Sequence, residues 1–183
     1  MVTIIVLVIV VVLGAWVMGI YNSLVRNRNL VDESWSGIDV QLKRRYDLIP
    51  NVVEAVKGYA AHEKTVFENV TQARASAISA GNIKEKVQAE NTLTQAIRSL
   101  FAVAENYPTL RASENFLQLQ RELEDTEDKV AYSRQFYNTA VAEFNTKLQL
   151  FPNVLLVKTF GFTPAEFFEA GEEERKKVEV KFG

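Results

Sequence analysis

The distribution of apolar residues changes along the length of this chain. From Val2 to Tyr21 the run VTIIVLVIVVVLGAWVMGIY carries no charge. As a helix rising about 1.5 Å per residue it reaches about 30 Å, the thickness of a bilayer's hydrocarbon layer. Beyond it, Leu24, Val31 and Ile38 interleave with Trp35, Leu42 and Ile49 at steps of three and four, the signature of one helical face. If that helix continues, Arg28 and Arg45 bring a cation to either end of the stripe, and a guanidinium in such a place wants a carboxylate partner.

At Tyr46-Asp47-Leu48-Ile49-Pro50-Asn51 the stripe is punctuated by proline, which lacks the donor that an interior helical turn requires. Two geometries are compatible with this. Asp47 caps a new helix with Pro50 in its first turn and the chain reverses just before it, or one long helix kinks at Pro50. A reversal near residue 48 sets Arg28 against Glu68, Asp32 against Lys64 and Asp39 against Lys57, and these opposite charges favour the hairpin. Each exposed pair contributes only about 0.2–1 kcal/mol, so they select register more than they stabilise.

The second stripe runs through Val52, Val56, Tyr59, Val66, Val70, Ala73 and Ala77, with Glu63 in the place between Tyr59 and Val66. Glu63 is expected at the edge of the stripe or paired with a base on another helix, and Gly58 is expected to let a bulky neighbour such as Trp35 or Ile38 approach. Gly81-Asn82 reads as a helix stop followed by an N-cap. A third helix from Ile83 to about Tyr107 shows Val87, Glu90, Leu93 or Thr94, Ile97, Leu100 or Phe101 and Ala104 on one face, and Pro108 is expected to end it. From about Ser113, Phe116, Leu123, Val130, Tyr137, Phe144 and Phe151 recur at a strict interval of seven. That repeat implies left-handed supercoiled packing. Leu119, Thr126, Ser133 and Ala140 form a second, small or polar row. Beside this seam Arg134, Asn138 and Asn145 are expected to fix helix register through hydrogen bonds.

The stretch YNSLVRNRNLVDESWSGIDVQLKRRYDLIPNVVEAVKGYAAHE, with YSRQFYNTAVAEFNTKLQLFPN further on, resembles the LemA family of bacterial membrane-anchored helical proteins. The likeness extends from Tyr21 through Phe160–Phe162 to Val180-Lys181-Phe182. It implies a single N-terminal span followed by a four-helix bundle, in a family whose biochemical activity is largely unassigned. Some relatives are similar to proteins that build bacterial membrane compartments, and others look like neighbours of membrane proteases. Arg134, Asn138 and Asn145 fall on motif positions of this resemblance.

At 183 residues the chain has room for one core after the anchor is set aside. No lysine or arginine precedes the apolar run and no small-x-small site closes it, which favours an uncleaved anchor over a signal peptide. Arg26 and Arg28 follow the run, so the positive-inside rule places the N-terminus outside and the carboxyl side in the cytoplasm. The formal charge of −2 hides a basic stretch from Arg26 to Arg45 and an acidic one from Glu105 to Asp128. No dense basic face interleaves with aromatics, so nucleic acid is not an expected partner. The absence of cysteine excludes disulfides and thiolate chemistry.

His62 is the one histidine; a zinc H-E-x-x-H motif needs a second where Val66 stands, and a di-iron bundle needs two Glu-x-x-His copies. No glycine-rich phosphate loop occurs. Glu122 to Asp128 is too dispersed around a helix to enclose a cation, and is read as a solvated face where Arg44 and Arg45 find partners or where a basic partner attaches. The expected architecture is therefore all-α: a transmembrane anchor over 1–22, an antiparallel up-and-down four-helix bundle over 23–151, and a short irregular tail over 152–183. The tail's Leu155, Leu156, Phe160, Phe162, Phe167 and Phe168 are expected to cover the bundle base or to meet the lipid interface or a membrane partner, Pro164 opens a short helix through Phe168, and Val178, Val180 and Phe182 alternate as an extended segment. No catalysis, cofactor or metal is expected. The leading reading is a scaffold or adaptor that holds protein partners at the inner membrane face, with a homo-oligomer compatible. A ligand- or stress-responsive sensor, switching through His62, Arg45 or Glu63, is the second. Arg45, Asp47, Pro50, His62, Glu63, Arg134, Asn138 and Asn145 are the candidate structural or interaction residues.

Overall fold

A computed structural model describes residues 1–168; the expected extended segment at Val178, Val180 and Phe182 lies outside them. The described residues are helical without strands: α1 (Val2–Lys57), α2 (Lys64–Ser79), α3 (Ile83–Ala104), α4 (Pro108–Arg111), α5 (Glu114–Gln149) and α6 (Val154–Val157).

The hairpin expected near residue 48 does not form, because α1 continues through Pro50 to Lys57. The reason lies in one carbonyl. A residue with an N–H at position 50 would donate to the carbonyl of Tyr46, and proline leaves that acceptor without its helical partner. Arg74 of α2 supplies the missing donor, its Nε lying 2.7 Å from the Tyr46 oxygen. Asp47 is thus an exposed residue inside a helix, not an N-cap. The charge pairing fails with the hairpin. Asp39 and Lys57 share one helix about 27 Å apart, and Lys57 pairs instead with Glu54 at 3.1 Å.

The reversal falls later, at 58–63. Gly58 is exposed there, and a Cβ would meet only backbone oxygens of its own helix at 3.7 and 3.9 Å, so the expected close approach by Trp35 or Ile38 is not its role. Tyr59 is likewise exposed. Glu63 is not on a helical stripe: it is the N-cap of α2, contributing no side-chain cap bond, while its carbonyl accepts from Val66 and Phe67. At the next junction Asn82 caps α3 as expected. Its Oδ1 accepts from the Glu85 N–H at 2.9 Å, while the Glu85 carboxylate accepts from the Gly81 N–H at 3.0 Å, a reciprocal arrangement that satisfies two donors. α3 ends at Ala104, and Pro108 opens α4 at a first-turn position where its missing N–H costs nothing.

The chain divides into two compact units. In the first, Met1–Ile38 with Ser133–Phe167, the run from Met1 to Trp16 is exposed throughout. Leu24, Val31 and Ile38 are buried, as are Tyr137, Ala140, Val141, Phe144 and Leu148 of α5. The Trp35 ring meets Tyr137 edge-on at 5.5 Å. Phe151, the last of the sevenfold series, lies past the end of α5 and is 78% exposed, so it does not join the seam. The helix expected at Pro164 is absent as well. Asn145 Nδ2 donates to the Ala165 carbonyl at 2.9 Å, its Oδ1 accepts from the Ala165 N–H at 2.8 Å, and the Glu166 carbonyl accepts from the Tyr137 hydroxyl. These bonds tie residues 165–166 to α5 instead, and the one helical turn described in the tail is α6.

In the second unit, Asp39–Tyr132 with Phe168, the remaining part of α1 contributes Leu42, Ile49, Val52, Val53 and Val56 to the core. α2 packs on α3. Phe67, Val70, Ala73 and Ala77 of α2, Leu93, Ile97 and Leu100 of α3, and Phe116, Leu123 and Val130 of α5 are buried.

Candidate functional site

The second unit holds a buried polar cluster to which α1, α2, α3 and α5 all contribute. Arg45 is only 2% exposed, which its place at the end of an apolar stripe requires, and it is compensated from two other helices. Its Nη1 donates to Glu90 Oε2 at 2.8 Å; its Nη2 donates to Thr94 Oγ1 at 2.8 Å and to Glu127 Oε1. The carboxylate partner anticipated for Arg45 is therefore double, Glu90 being buried and Glu127 partly exposed. Arg44, one residue earlier, reaches Asp125 at 3.8 Å across an exposed surface. Both arginines thus meet the acidic stretch at 122–128.

Tyr46 is adjacent and buried. Its hydroxyl has one proton, which goes to Glu90 Oε1, leaving the Ala77 carbonyl at 3.4 Å as a long second contact. Burial first, and the Glu90 hydrogen bond and charge second, push the phenol well above the ordinary tyrosine range. Lys86, also buried, donates to the same Ala77 carbonyl at 3.0 Å, with its ammonium 5.9 Å from the centre of the Tyr46 ring. Ala77 belongs to the last turn of α2, whose carbonyls have no intrahelical donors, so Lys86 acts as a cationic cap on that end. In formal charge Arg45 and Lys86 balance Glu90 and Glu127. Among the described buried side-chain atoms, Gln41 Oε1 and Arg45 Nε lack a hydrogen-bond partner; the two residues stand one turn apart on α1.

This geometry can hold four helices in register. A phenol held protonated is a poor base and a poor nucleophile, and the Glu90 carboxylate is already engaged by Arg45 and Tyr46. Of the other anticipated residues, Pro50 lies next to the cluster in sequence and Arg74 serves its orphaned carbonyl. Asp47 is exposed beside it. His62 is exposed on the turn before α2, and Glu63 begins that helix. Asn145 belongs to the first unit, where it fastens the tail and not a neighbouring helix; Arg134 and Asn138 are half-buried in the same unit. Sequence reasoning missed Tyr46, Arg74 and Lys86 as partners and noted Glu90 and Thr94 only as face positions. The available signal was a carboxylate on the apolar side of α3, three residues before Leu93, opposite an arginine on the apolar side of α1.

A second feature of this unit is a groove of about 760 Å³ between α1 and α2. Ile49, Val53 and Phe67 lie along it, and Glu54, Lys57, Lys64 and Glu68 give it charges of both signs.

These features define an all-helical protein with an N-terminal helix long and apolar enough to cross a membrane and a buried ion cluster in its helical body. The chain belongs to the LemA family, whose model matches residues 34–182. It is 25% identical over 175 residues to the magnetosome protein MamQ 1 of Paramagnetospirillum magneticum and 24% identical over 174 residues to MamQ of Magnetospirillum gryphiswaldense, in each case covering 81% of this chain and 64% of the relative. It is also 26% identical over 160 residues to the protein LemA of Metamycoplasma hominis, covering 87% of this chain and 73% of that one. The chain therefore spans less than two thirds of the MamQ proteins it matches. None of these names denotes a reaction.

Proposed function

We propose that this protein is a non-catalytic scaffold or adaptor, tethered to a membrane by the Val2–Tyr21 segment, whose helical body, a four-helix up-and-down bundle over 23–151, presents a surface to protein partners at the inner membrane face. One observation carries the reading. α1 passes without interruption from an exposed apolar run that can cross a bilayer to the segment in which Arg45 is held by Glu90, Thr94 and Glu127. A tether of this kind raises the effective concentration of the body beside membrane-borne partners. Arg26 and Arg28 favour the orientation with the body in the cytoplasm. Arg45, one of the three residues through which a sensor would switch, is buried and engaged by three side chains, which favours the scaffold over a sensor that works through Arg45.

The α1–α2 groove suits an amphipathic helix of a partner, with apolar positions for its anchors and charges of both signs at its edges. The test is photo-crosslinking in native membranes from residues substituted at Glu54 and Gln72, which line the groove, with Thr139 on α5 as reference. Reproducible capture of one defined protein from both groove positions but not from the reference is expected. Equal or no capture at all three positions argues against the groove as the docking surface.

A further inference from the structure

We propose that Leu150, Phe151, Val154 and Leu155 form a second membrane contact, dipping into the headgroup boundary of an anionic lipid surface beside the point where α1 leaves the bilayer. The proposal rests on the reading of Val2–Tyr21 as a span and adds a peripheral lipid contact to it. All four side chains are large and apolar, and they are 53, 78, 46 and 65% exposed. They follow one another within six residues across the end of α5 and the start of α6.

Ring contacts within the first unit set their height. Trp35 of α1 packs on Tyr137 of α5 at 5.5 Å, while Tyr21 meets Phe162 at 6.0 Å and Phe162 meets Phe144 at 6.3 Å. Moving back along α1 therefore accompanies moving forward along α5, and the two segments run antiparallel. The steps from Trp35 to Tyr21 and from Tyr137 to Leu150 each cover about 20 Å, which brings Leu150 level with Tyr21, the end of the apolar run. Phe160, edge-on to Tyr21 at 5.1 Å, returns the chain to that level after α6. The four exposed residues lie between Phe144 and Phe160 in sequence. An aliphatic and aromatic group at the edge of a hydrocarbon layer buries apolar area without leaving the interface.

Charge specifies the lipid. Arg26 and Arg28 follow Tyr21 on α1 by five and seven residues, Lys147 precedes Leu150 by three and Lys158 follows Leu155 by three; all are exposed except Lys147, which is half-buried. Asp32 and Glu143 stand about one turn further along α1 and α5, away from the apolar run. A basic collar around an apolar tip matches a surface of anionic headgroups.

The 183-residue chain has no cysteine, so single labels can be placed in it. Phe151→Cys and Leu155→Cys, with Val8→Cys in the apolar run and Tyr132→Cys on α5 as references, are labelled with an environment-sensitive fluorophore. Each is then reconstituted into vesicles of zwitterionic and anionic lipid carrying shallow or deep nitroxide quenchers. Positions 151 and 155 should show blue-shifted emission and lose most of their fluorescence to the shallow quencher, position 8 to the deep one, and position 132 to neither. The combination Lys147→Glu with Lys158→Glu should reduce quenching at 151 and 155 while leaving position 8 unchanged. If 151 and 155 behave like 132 while 8 is quenched, the second contact is overturned and the anchor stands. If 8 also escapes quenching, the anchor reading fails with it. Blue-shifted emission at 151 and 155 that depends on protein concentration and resists lipid quenchers replaces lipid with a second copy of the chain and equally overturns the proposal.

Discussion

A guanidinium removed from water loses hydration that only charged and hydrogen-bonding partners replace. Arg45 meets that demand with Glu90, Thr94 and Glu127, and Glu90 in turn receives the Tyr46 proton. Each member of the cluster is therefore buried on the condition that the others are present. Arg45→Met should destabilise the protein by about 3–5 kcal/mol, because Glu90 is left buried without its cation. Combining it with Glu90→Leu should cost less than the two single substitutions added together, with a coupling of roughly 0.5–3 kcal/mol. Denaturant unfolding of the natural chain and the three variants in detergent micelles measures this, and strictly additive effects would show that the pair does not act as a unit. The sequence made the need of Arg45 for a carboxylate visible. It did not name which carboxylate, because Glu90 and Glu127 are distant in the chain and only the packing of α3 and α5 brings them to one point.

At the scale of helices, Pro50 decides how the first half of the chain is organised. Proline statistics and the matching charges around residue 48 argued for a break, yet α1 passes through. What outweighs the local preference is a tertiary hydrogen bond, since Arg74 repairs the carbonyl that proline orphans. Arg74→Met should therefore cost about 1–3 kcal/mol in the natural chain, the penalty for leaving a part-buried acceptor unpaired. In a Pro50→Ala background the new backbone N–H at position 50 takes that acceptor, and the cost of Arg74→Met should shrink. An unchanged cost, read by the same unfolding experiment, would detach Arg74 from the proline. The junction before α3 shows the opposite case. Asn82 and Glu85 lie three residues apart and satisfy each other's surroundings locally, so the cap was legible without any tertiary information.

For the molecule as a whole, protonation links the buried tyrosines to stability. Burial chiefly raises the pKa of both Tyr46 and Tyr137, with negative neighbours adding to it: Glu90 for the former, Glu166 and Asp32 for the latter. A folded-state value above the unfolded one means that the native state holds the proton longer. The stabilisation is complete below about pH 10, where an exposed tyrosine begins to ionise, and is lost as pH rises towards the folded-state values. Full-length protein should lose stability above pH 10, and Tyr46→Phe should flatten that decline relative to its own stability at pH 8. Unfolding midpoints taken between pH 8 and pH 11 test it; parallel curves for the two proteins would exclude Tyr46 as a contributor.

Apolar periodicity alone determined that the described chain is helical, that an uncharged run long enough to cross a bilayer leads it, and which faces of α1, α3 and α5 turn inward, because helix period and hydrophobic burial act over neighbouring residues. The position of the first reversal, the choice of Glu90 as the buried partner of Arg45, the use of Asn145 to fasten Ala165 and the exposure of Phe151 were decided only by tertiary structure. Each depends on groups far apart in sequence: a donor from α2, carboxylates from α3 and α5, and a tail that folds back on the helix preceding it. Local preference supplies a small free-energy bias, and a buried carbonyl or guanidinium that must be satisfied outweighs it.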